Sequence, residues 1–558
     1  MDNQRVILWV LFASMVFLTW SRWQTEHAPA PVAVNDQSID APLSAETPAA
    51  TAPSASVADI QPPELPQIPG AAVTPGAAPS IQPSVIDAEP VSVETDVLNL
   101  RISKTGGTLI GAALKRYPKA KDAPDIPVQL LSNDPETLSV MLSGVVDSAR
   151  NGPTHLAELQ TSTNSYVLDE GADSIDVPFS WSANGVTVQK VYRLKRGHYD
   201  IDIEYRIRND SKETWRALSY LQIRHRYTPQ KRSMFDVDSY SFHGAVVSDG
   251  TKYEKIDPEG LADTPVNQKL AGGWFAYIQH HFLLAAVPAP DAEYSINASF
   301  ADGIINVRSD GPVISVAPGE EALLTENLFI GPKLQSQLEQ LAPSLPLTVD
   351  YGRLSLLAQP LFWLLQQVHD FVGNWGWAII IVTFLIKLTF YKLTEASGRS
   401  MAKMRKLQPR LKALQERYKD DRAALSQHMM DLYKREKVNP AAGCLPMIIQ
   451  IPFFIAFYWV LLESVEMRQA PFALWITDLS SRDPYFVLPL LMAIAMFVQQ
   501  KLNPAPPDPV QAKVMMILPV MFTGFFAFFP SGLVLYWLTN SVLSVVQQWN
   551  INRKMAVA

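Results

Sequence analysis

One cysteine, Cys444, in 558 residues excludes an intramolecular disulfide framework, even for a segment exported to an oxidising compartment. No glycine-rich phosphate-cradling motif is present, so neither a bound nucleotide nor any other cofactor is expected. Histidine is scarce, with nine in the chain, and none falls in the long apolar runs of the C-terminal third. That removes the general base an intramembrane serine hydrolase would need beside a candidate such as Ser531. Positive charge is short between Gln24 and Asp350, where 24 Lys+Arg face 41 Asp+Glu for a net of −17. The whole chain carries −7, which leaves +10 for the remainder. Direct nucleic-acid recognition is therefore not expected of the acidic part, and the basic excess lies beside apolar runs, where membrane orientation explains it.

Composition divides what is there. Residues 6–20 form a continuous apolar run between Arg5 and Arg22, with Trp20 and Trp23 as an interfacial belt, and Pro31 disfavours cleavage after Ala30. Residues 1–23 are expected to be an uncleaved transmembrane signal anchor. Residues 24–90 form a Pro/Ala-rich linker; 13 of the 43 prolines lie between Ala28 and Pro90. So little apolar mass cannot offset ordering entropy, and an extended, disordered tether is expected. Residues 91–340 change to short alternating runs. Ile201, Ile203, Tyr205 and Ile207 alternate strictly with polar residues, and Ala183-Asn184-Gly185 reads as a turn. The pattern predicts a large antiparallel β-sandwich. Adjacent His280 and His281, taken as strand residues, point to opposite faces and so make no metal pair.

The C-terminal part reads as membrane. Residues 350–373, with Pro360, His369 and Asp370, are too polar to span and suit an amphipathic helix lying in the interface. Apolar runs at about 375–391, 445–462, 485–502, 514–529 and 533–547 approach spanning length, and with the N-terminal anchor make six transmembrane α-helices. Residues 392–437 hold 13 Lys+Arg against 6 Asp+Glu, whereas residues 463–484 hold two against four. By the positive-inside rule the first loop, the N-terminus and the C-terminus are cytoplasmic, and the β-sandwich is outside. Within the basic loop, Met404, Leu407, Leu411, Leu414 and Tyr418 recur at helical spacing, as do Leu425, Met429 and Leu432, with Asp420-Asp421 as a cap between them. A helical hairpin over 399–437 is expected, presenting Lys403, Arg405, Lys406, Arg410 and Lys412 to water. Those charges serve topology alone, or dock a partner or anionic lipid.

Lys387 is the one charge in the run 375–391. An ionisable side chain in a span costs roughly 3 kcal/mol on insertion scales and marks a functional site by default. Snorkelling to the nearby headgroups is the plain alternative, since Lys392 is only five residues on. Thr383, one turn earlier on the same face, favours a polar recess. Gln450, Thr523, Asn540, Ser544 and Gln547 place further polar groups in the other runs, where they line that recess or serve as packing glue.

Several stretches carry a resemblance: VDYG at Val349, QPLFWLL at Gln359, VGNWGW at Val372, SMAKMRKLQP at Ser400, KVNPAAGCLPMIIQIPFF at Lys437, SVEMRQAPFALWITDLS at Ser464 and FPSGLVLYW at Phe529. They resemble the YidC/Oxa/Alb family of membrane-protein insertases, in its Gram-negative form with a large periplasmic domain. The resemblance implies a multi-pass protein of the bacterial inner membrane that inserts and helps fold nascent membrane proteins, alone or with the Sec translocon, without enzymatic activity. It implies a five-helix core over 374–549 around a hydrophilic groove open to cytoplasm and lipid. The groove's usual arginine falls on Lys387; Thr383, Cys444 and Gln450 match groove-lining positions, and the last span's aromatic falls on Trp537 beside Tyr536. Met516, Phe522 and Phe526 would form a hydrophobic slide. Nascent membrane proteins, Sec translocon components and lipids are the implied partners, with the ribosome and signal recognition particle pathway possible ones. Residues 550–558 form a short cytoplasmic tail bearing only Arg553 and Lys554.

Loop charge generates a direct test. Membrane-impermeant labels at Asp236 or Ser480 should react only from outside, and at Gln415 or Ala505 only from inside. Cytoplasmic reactivity of Ser480 would overturn the span assignment.

Overall fold

The computed structural model describes residues 89–148, 152–229, 241–290, 292–418, 421–436, 445–502 and 509–557. The expected anchor 1–23, nearly all of the tether, Cys444 and the Arg405 side chain lie outside the described residues. Apart from residues 509–514, the described residues belong to one compact unit, a β-rich region followed by a helical one.

Strands between Val91 and Pro332 build an eleven-stranded and an eight-stranded sheet. Strand Asp200–Asn209 shows why two faces pack: Ile201, Ile203, Tyr205 and Ile207 are buried while the residues between them are not. It lies between Val186–Lys195 and Glu321–Pro332 in the eight-stranded sheet. The expected turn joins Ser174–Ala183 to Val186–Lys195 through Asn184-Gly185, both with positive φ (52° and 79°), the hairpin geometry that this pair favours. A buried cation ties the two sheets. Lys190 Nζ donates to the carbonyls of Gly106 (2.9 Å), Gly107 (3.2 Å) and Ser143 (3.1 Å), which occupies all three of its donors. Burial pulls its pKa far down.

The helices are α1 (Pro258–Asp263), α2 (Gln335–Leu341), α3 (Ser355–Val372), α4 (Trp375–Thr389), α5 (Tyr391–Arg417), α6 (Arg422–Arg435), α7 (Leu445–Glu463), α8 (Val487–Leu502), α9 (Pro509–Phe526) and α10 (Ser531–Val557). Among the described residues no single helix is both long and apolar enough to cross a membrane; α4 and the first part of α5 pass together, bent by 63°. The run expected over 375–391 therefore ends early, at Thr389. Its hydroxyl donates back to the Leu385 carbonyl (3.0 Å), a bond that bends helices, and Phe390 packs edge-on against Phe453. At its far end α10 continues through residues 550–557, where a separate tail was expected, and Ile551 is buried. The hairpin forms as α5 and α6. Asp421 caps α6 by accepting from Ala424 N (2.9 Å), and Leu407, Leu411 and Tyr433 are buried against Met404, Met429 and Leu432. Its first helix starts at Tyr391 and not at 399, continuing almost directly from α4.

The β-rich and helical regions meet through polar contacts that the alternation reading missed. His280 and His281 are not strand residues; they form the turn between paired Gln279 and Phe282, with φ 49° at His280. Their rings stack at 3.7 Å instead of facing apart, and both Nε2 atoms donate to the Leu462 carbonyl at the end of α7 (3.2 and 2.9 Å). Burial holds both rings neutral, with His281 pulled down to about 3. Beside them Lys333 Nζ reaches Glu463 (3.4 Å) and the Thr348 carbonyl (3.1 Å), and both ionic side chains are almost fully buried. Arg468 donates to the carbonyls of Pro118 (2.8 Å) and Lys119 (3.1 Å). The nearby Glu466 carboxyl is pushed up to about 7 by burial, so it is largely protonated below neutrality.

Removing one partner of a buried ion pair costs about 3–5 kcal/mol, because the other is left uncompensated. Lys333→Met should therefore raise hydrogen exchange at the α7 end and in the Phe282–Val287 strand, and adding Glu463→Leu should restore much of the protection. Unchanged exchange in the single variant would show that the pair holds nothing together.

Candidate functional site

The residues of VGNWGW set up the site. Gly373 ends α3 in the left-handed conformation (φ 67°), and Asn374 then caps α4, its Oδ1 accepting from Trp377 N (3.1 Å). The Asn374 amide also donates to the carbonyls of Pro471 (3.2 Å) and Phe472 (3.0 Å), fixing the helix start to the loop before α8. Gly376 is required there: a Cβ would lie 2.0 Å from the Phe472 ring. Thus anchored, α4 carries Thr383 and Lys387 inward along one face.

Lys387 Nζ donates to Ser544 Oγ on α10 (2.8 Å), and Ser544 Oγ in turn donates to the Asn540 carbonyl (2.7 Å). The ammonium thus has a neutral hydroxyl partner held by its own helix, not a carboxylate. Around it Thr383, Ile386, Phe390, Leu393, Thr394, Ile449, Gln450, Phe453, Tyr536 and Asn540 line a cavity of about 30 Å³. That volume admits one or two waters. Thr383 satisfies its hydroxyl locally, donating to the Ile379 carbonyl (2.6 Å), so it adds a polar wall without binding the ammonium. Tyr536 is buried, its ring stacked on Phe457 at 4.6 Å.

The structure thus brings together Thr383, Lys387, Gln450, Tyr536, Asn540 and Ser544. It places two other expected groove residues, and the expected slide, elsewhere. Trp537 joins an aromatic cluster with Phe454 (4.5 Å) and Phe526 (5.1 Å) and is not among the residues that line the cavity. Thr523 donates to the Pro519 carbonyl (2.7 Å) within its own helix. Of the residues expected on an outward slide, Met516 is exposed, Phe526 is buried and Phe522 packs in the same aromatic cluster. The outward apolar face of α9 is made instead by Met516, Ile517, Val520, Met521 and Phe525. Phe390 and Thr394 were missed, although they continue the Lys387 face at three- and four-residue steps into α5. On the hairpin, Lys403, Lys406, Arg410 and Lys412 are exposed, and Arg410 pairs with Glu436 across to the end of α6 (2.6 Å).

Among the described residues no group of three or more His, Cys, Asp or Glu is arranged to hold a metal ion. Ser531 is fully buried and donates to the Asp478 carbonyl (2.8 Å), which makes it a structural hydroxyl at the turn before α10.

Comparison with known proteins covers the whole chain. The family described as 60Kd inner membrane protein matches residues 367–557, and the YidC periplasmic domain matches residues 90–364. The membrane protein insertase YidC of Methylococcus capsulatus is 45% identical, covering 100% of this chain and 99% of its own length. That of Thioalkalivibrio sulfidiphilus is 44% identical, with the same coverage. Among solved structures, an active YidC insertase with its first transmembrane domain resolved matches at 18% identity and a TM-score of 0.38, over 82% of this chain and 93% of that one.

Proposed function

The chain belongs to the YidC family of membrane protein insertases, and on that premise we propose that it inserts nascent proteins into the bacterial inner membrane through the recess around Lys387. The observation that carries this reading is the Lys387 ammonium held by Ser544 beside a small cavity among apolar helices, with Thr383, Gln450 and Asn540 on its wall. A client's polar flank must cross hydrocarbon, at several kcal/mol per unsatisfied polar group. A wet recess reaching partway shortens the dry path, and a fixed cation draws acidic flanks into it. The apolar segment then leaves along the outward face of α9 into lipid. Hydrophobic partitioning and the membrane potential, about 2.3 kcal/mol per charge per 100 mV, supply the drive.

The domain map belongs to this proposal: anchor 1–23, tether 24–90, periplasmic β-domain 91–340, interfacial helix 350–373 and core 374–549. So does the topology of six spans with both termini cytoplasmic. The helices are short for 30 Å of hydrocarbon, so the core works in a locally thinned bilayer, with the bent α4–α5 pair crossing as one unit. The exposed Leu356, Trp363 and Phe371 on α3 support its lying in the interface. Nascent membrane proteins are the clients; the Sec translocon, the ribosome and the signal recognition particle pathway are partners in delivery.

Charge at position 387 decides the mechanism. Lys387→Arg should be nearly neutral, since charge and hydration are kept. Lys387→Leu should slow insertion of clients with acidic flanks on the order of tenfold, about 1.4 kcal/mol, and Lys387→Glu should slow it further. Insertion assays on two clients differing only in flank charge make the measurement. Equal losses for acidic and neutral flanks with Lys387→Leu would remove electrostatic attraction from the mechanism.

The hairpin is proposed to dock or gate clients, because its exposed cations exceed what topology requires. Replacing Lys403, Arg405 and Lys406 by Gln should slow client delivery severalfold with topology unchanged. Unaltered insertion rates would leave the charges a topological role only.

A further inference from the structure

The junction that grips the end of α7 encloses a cavity of about 110 Å³ for which insertion itself has no use. Three parts of the chain meet there. The β-rich region supplies Phe242, Lys255 and Lys333, the stretch leading into α3 supplies Asp350, and the last turn of α7 supplies Trp459 and Glu463. Where the Lys387 cavity admits one or two waters, this one has room for several, or for one small polar group.

The lining is charged but balanced, with Lys255 and Lys333 set against Asp350 and Glu463. Its inner pair is also incompletely bonded. Lys190, buried elsewhere in the β-rich region, gives all three ammonium protons to carbonyls. Lys333 is just as buried, yet among the described residues it meets two acceptors, the Thr348 carbonyl (3.1 Å) and Glu463 (3.4 Å). One proton of a buried ammonium is left without an acceptor there. Glu463 accepts that one long bond, through Oε2, and no other among the described residues. Buried ionised groups with unfilled bonding capacity are costly, so a ligand of matching charge is stabilising. The outer pair, Lys255 with Asp350 (2.6 Å), is half-exposed. Such pairs contribute little, so opening this one toward a ligand costs little.

The surroundings identify the ligand. The amphipathic helix α3 begins just after Asp350 and exposes Leu356, Trp363 and Phe371, and Trp459 adds an indole of the kind that sits at headgroup level. We propose that this cavity binds the head of a membrane phospholipid that carries a primary ammonium beyond its phosphate. The inference takes from the insertase reading that α7 ends at the membrane surface, and adds a lipid ligand to it. Lys255 and Lys333 take the phosphate oxygens, while Asp350 and Glu463 take the ammonium, whose three N–H groups can donate to both. A wall without net charge selects against a purely anionic head. A quaternary ammonium has no N–H to give the carboxylates, so a choline head is selected against as well. A bound head would join the end of α7, the entry to α3 and the β-rich region through one molecule of lipid.

The test uses the full-length protein with a photoreactive side chain in place of Phe242, reconstituted into vesicles of phosphatidylglycerol. Each preparation also holds an equal share of phosphatidylethanolamine or phosphatidylcholine with the same acyl chains. The ethanolamine lipid should crosslink at least about fivefold more than the choline lipid, and Lys255→Gln with Asp350→Asn should abolish the difference. Equal yields from the two lipids would overturn the proposal, as would stronger crosslinking of phosphatidylglycerol, the mark of a plain cationic patch. Glycerophosphoethanolamine, the same head without acyl chains, should leave the yield unchanged at equimolar amount; displacement of the lipid by it would assign the cavity to a soluble ligand and overturn the lipid. If the double variant fails to accumulate, the comparison of lipids on the otherwise unaltered protein still decides. Insertion of a single-span client into the same vesicles separates the two levels. Normal insertion without the lipid preference sinks the lipid site alone, and the preference without insertion sinks the insertase reading alone.

Discussion

A charge among apolar helices must be given something to solvate it, and the Lys387 region is arranged around that requirement. The ammonium is held by Ser544, whose own proton is returned to the Asn540 carbonyl, so the chain of donors ends on backbone of α10. Among the described residues no carboxylate pairs with it. A buried ion pair would cancel the field and recover little free energy after desolvation. A hydroxyl leaves the positive charge uncancelled and available to a passing flank. The small cavity and the Gln450 and Asn540 side chains on its wall follow from this one constraint.

The same helix links that recess to the β-rich region. Gln450 near the start of α7 lines the cavity, while Leu462 and Glu463 at its end are gripped by His280, His281 and Lys333. Thirteen residues separate these positions, about 20 Å along a helix. The β-rich region is thus tied into the helical one. Its turn and its buried lysine fix one end of a helix whose other end shapes the proposed groove. Because these contacts are desolvated hydrogen bonds and one ion pair, they break at a substantial cost and hold one geometry when intact.

Much of this was legible from residue patterns. Strict alternation at Ile201, Ile203, Tyr205 and Ile207 announced a strand with one buried face. Helical spacing of Leu407 and Leu411, with Asp421 ready to cap, announced the hairpin, and the lone charge at Lys387 pointed to a residue that lines a cavity. Other features depended on tertiary contacts that no local pattern encodes. His280 and His281 sit at a two-residue turn, where period-two reasoning about faces does not apply. Phe526 looked available for lipid because it is apolar, yet its helix turns it inward and presents Val520 and Phe525 instead. The end of α4 was set too late because a chain of apolar residues continues through the bend at Phe390.

The central claim is that clients pass through the recess that Lys387 occupies. Trapping nascent chains of a simple single-span client with a photoreactive side chain placed at Thr394 or Ile449, both on the cavity wall, tests it most directly. The account predicts crosslinks from these positions to the client at an early chain length, followed at longer lengths by crosslinks from Val520 on the outward face of α9. Early crosslinks from Val520 with none from Thr394 or Ile449 would contradict it, because the client would then reach lipid without entering the recess.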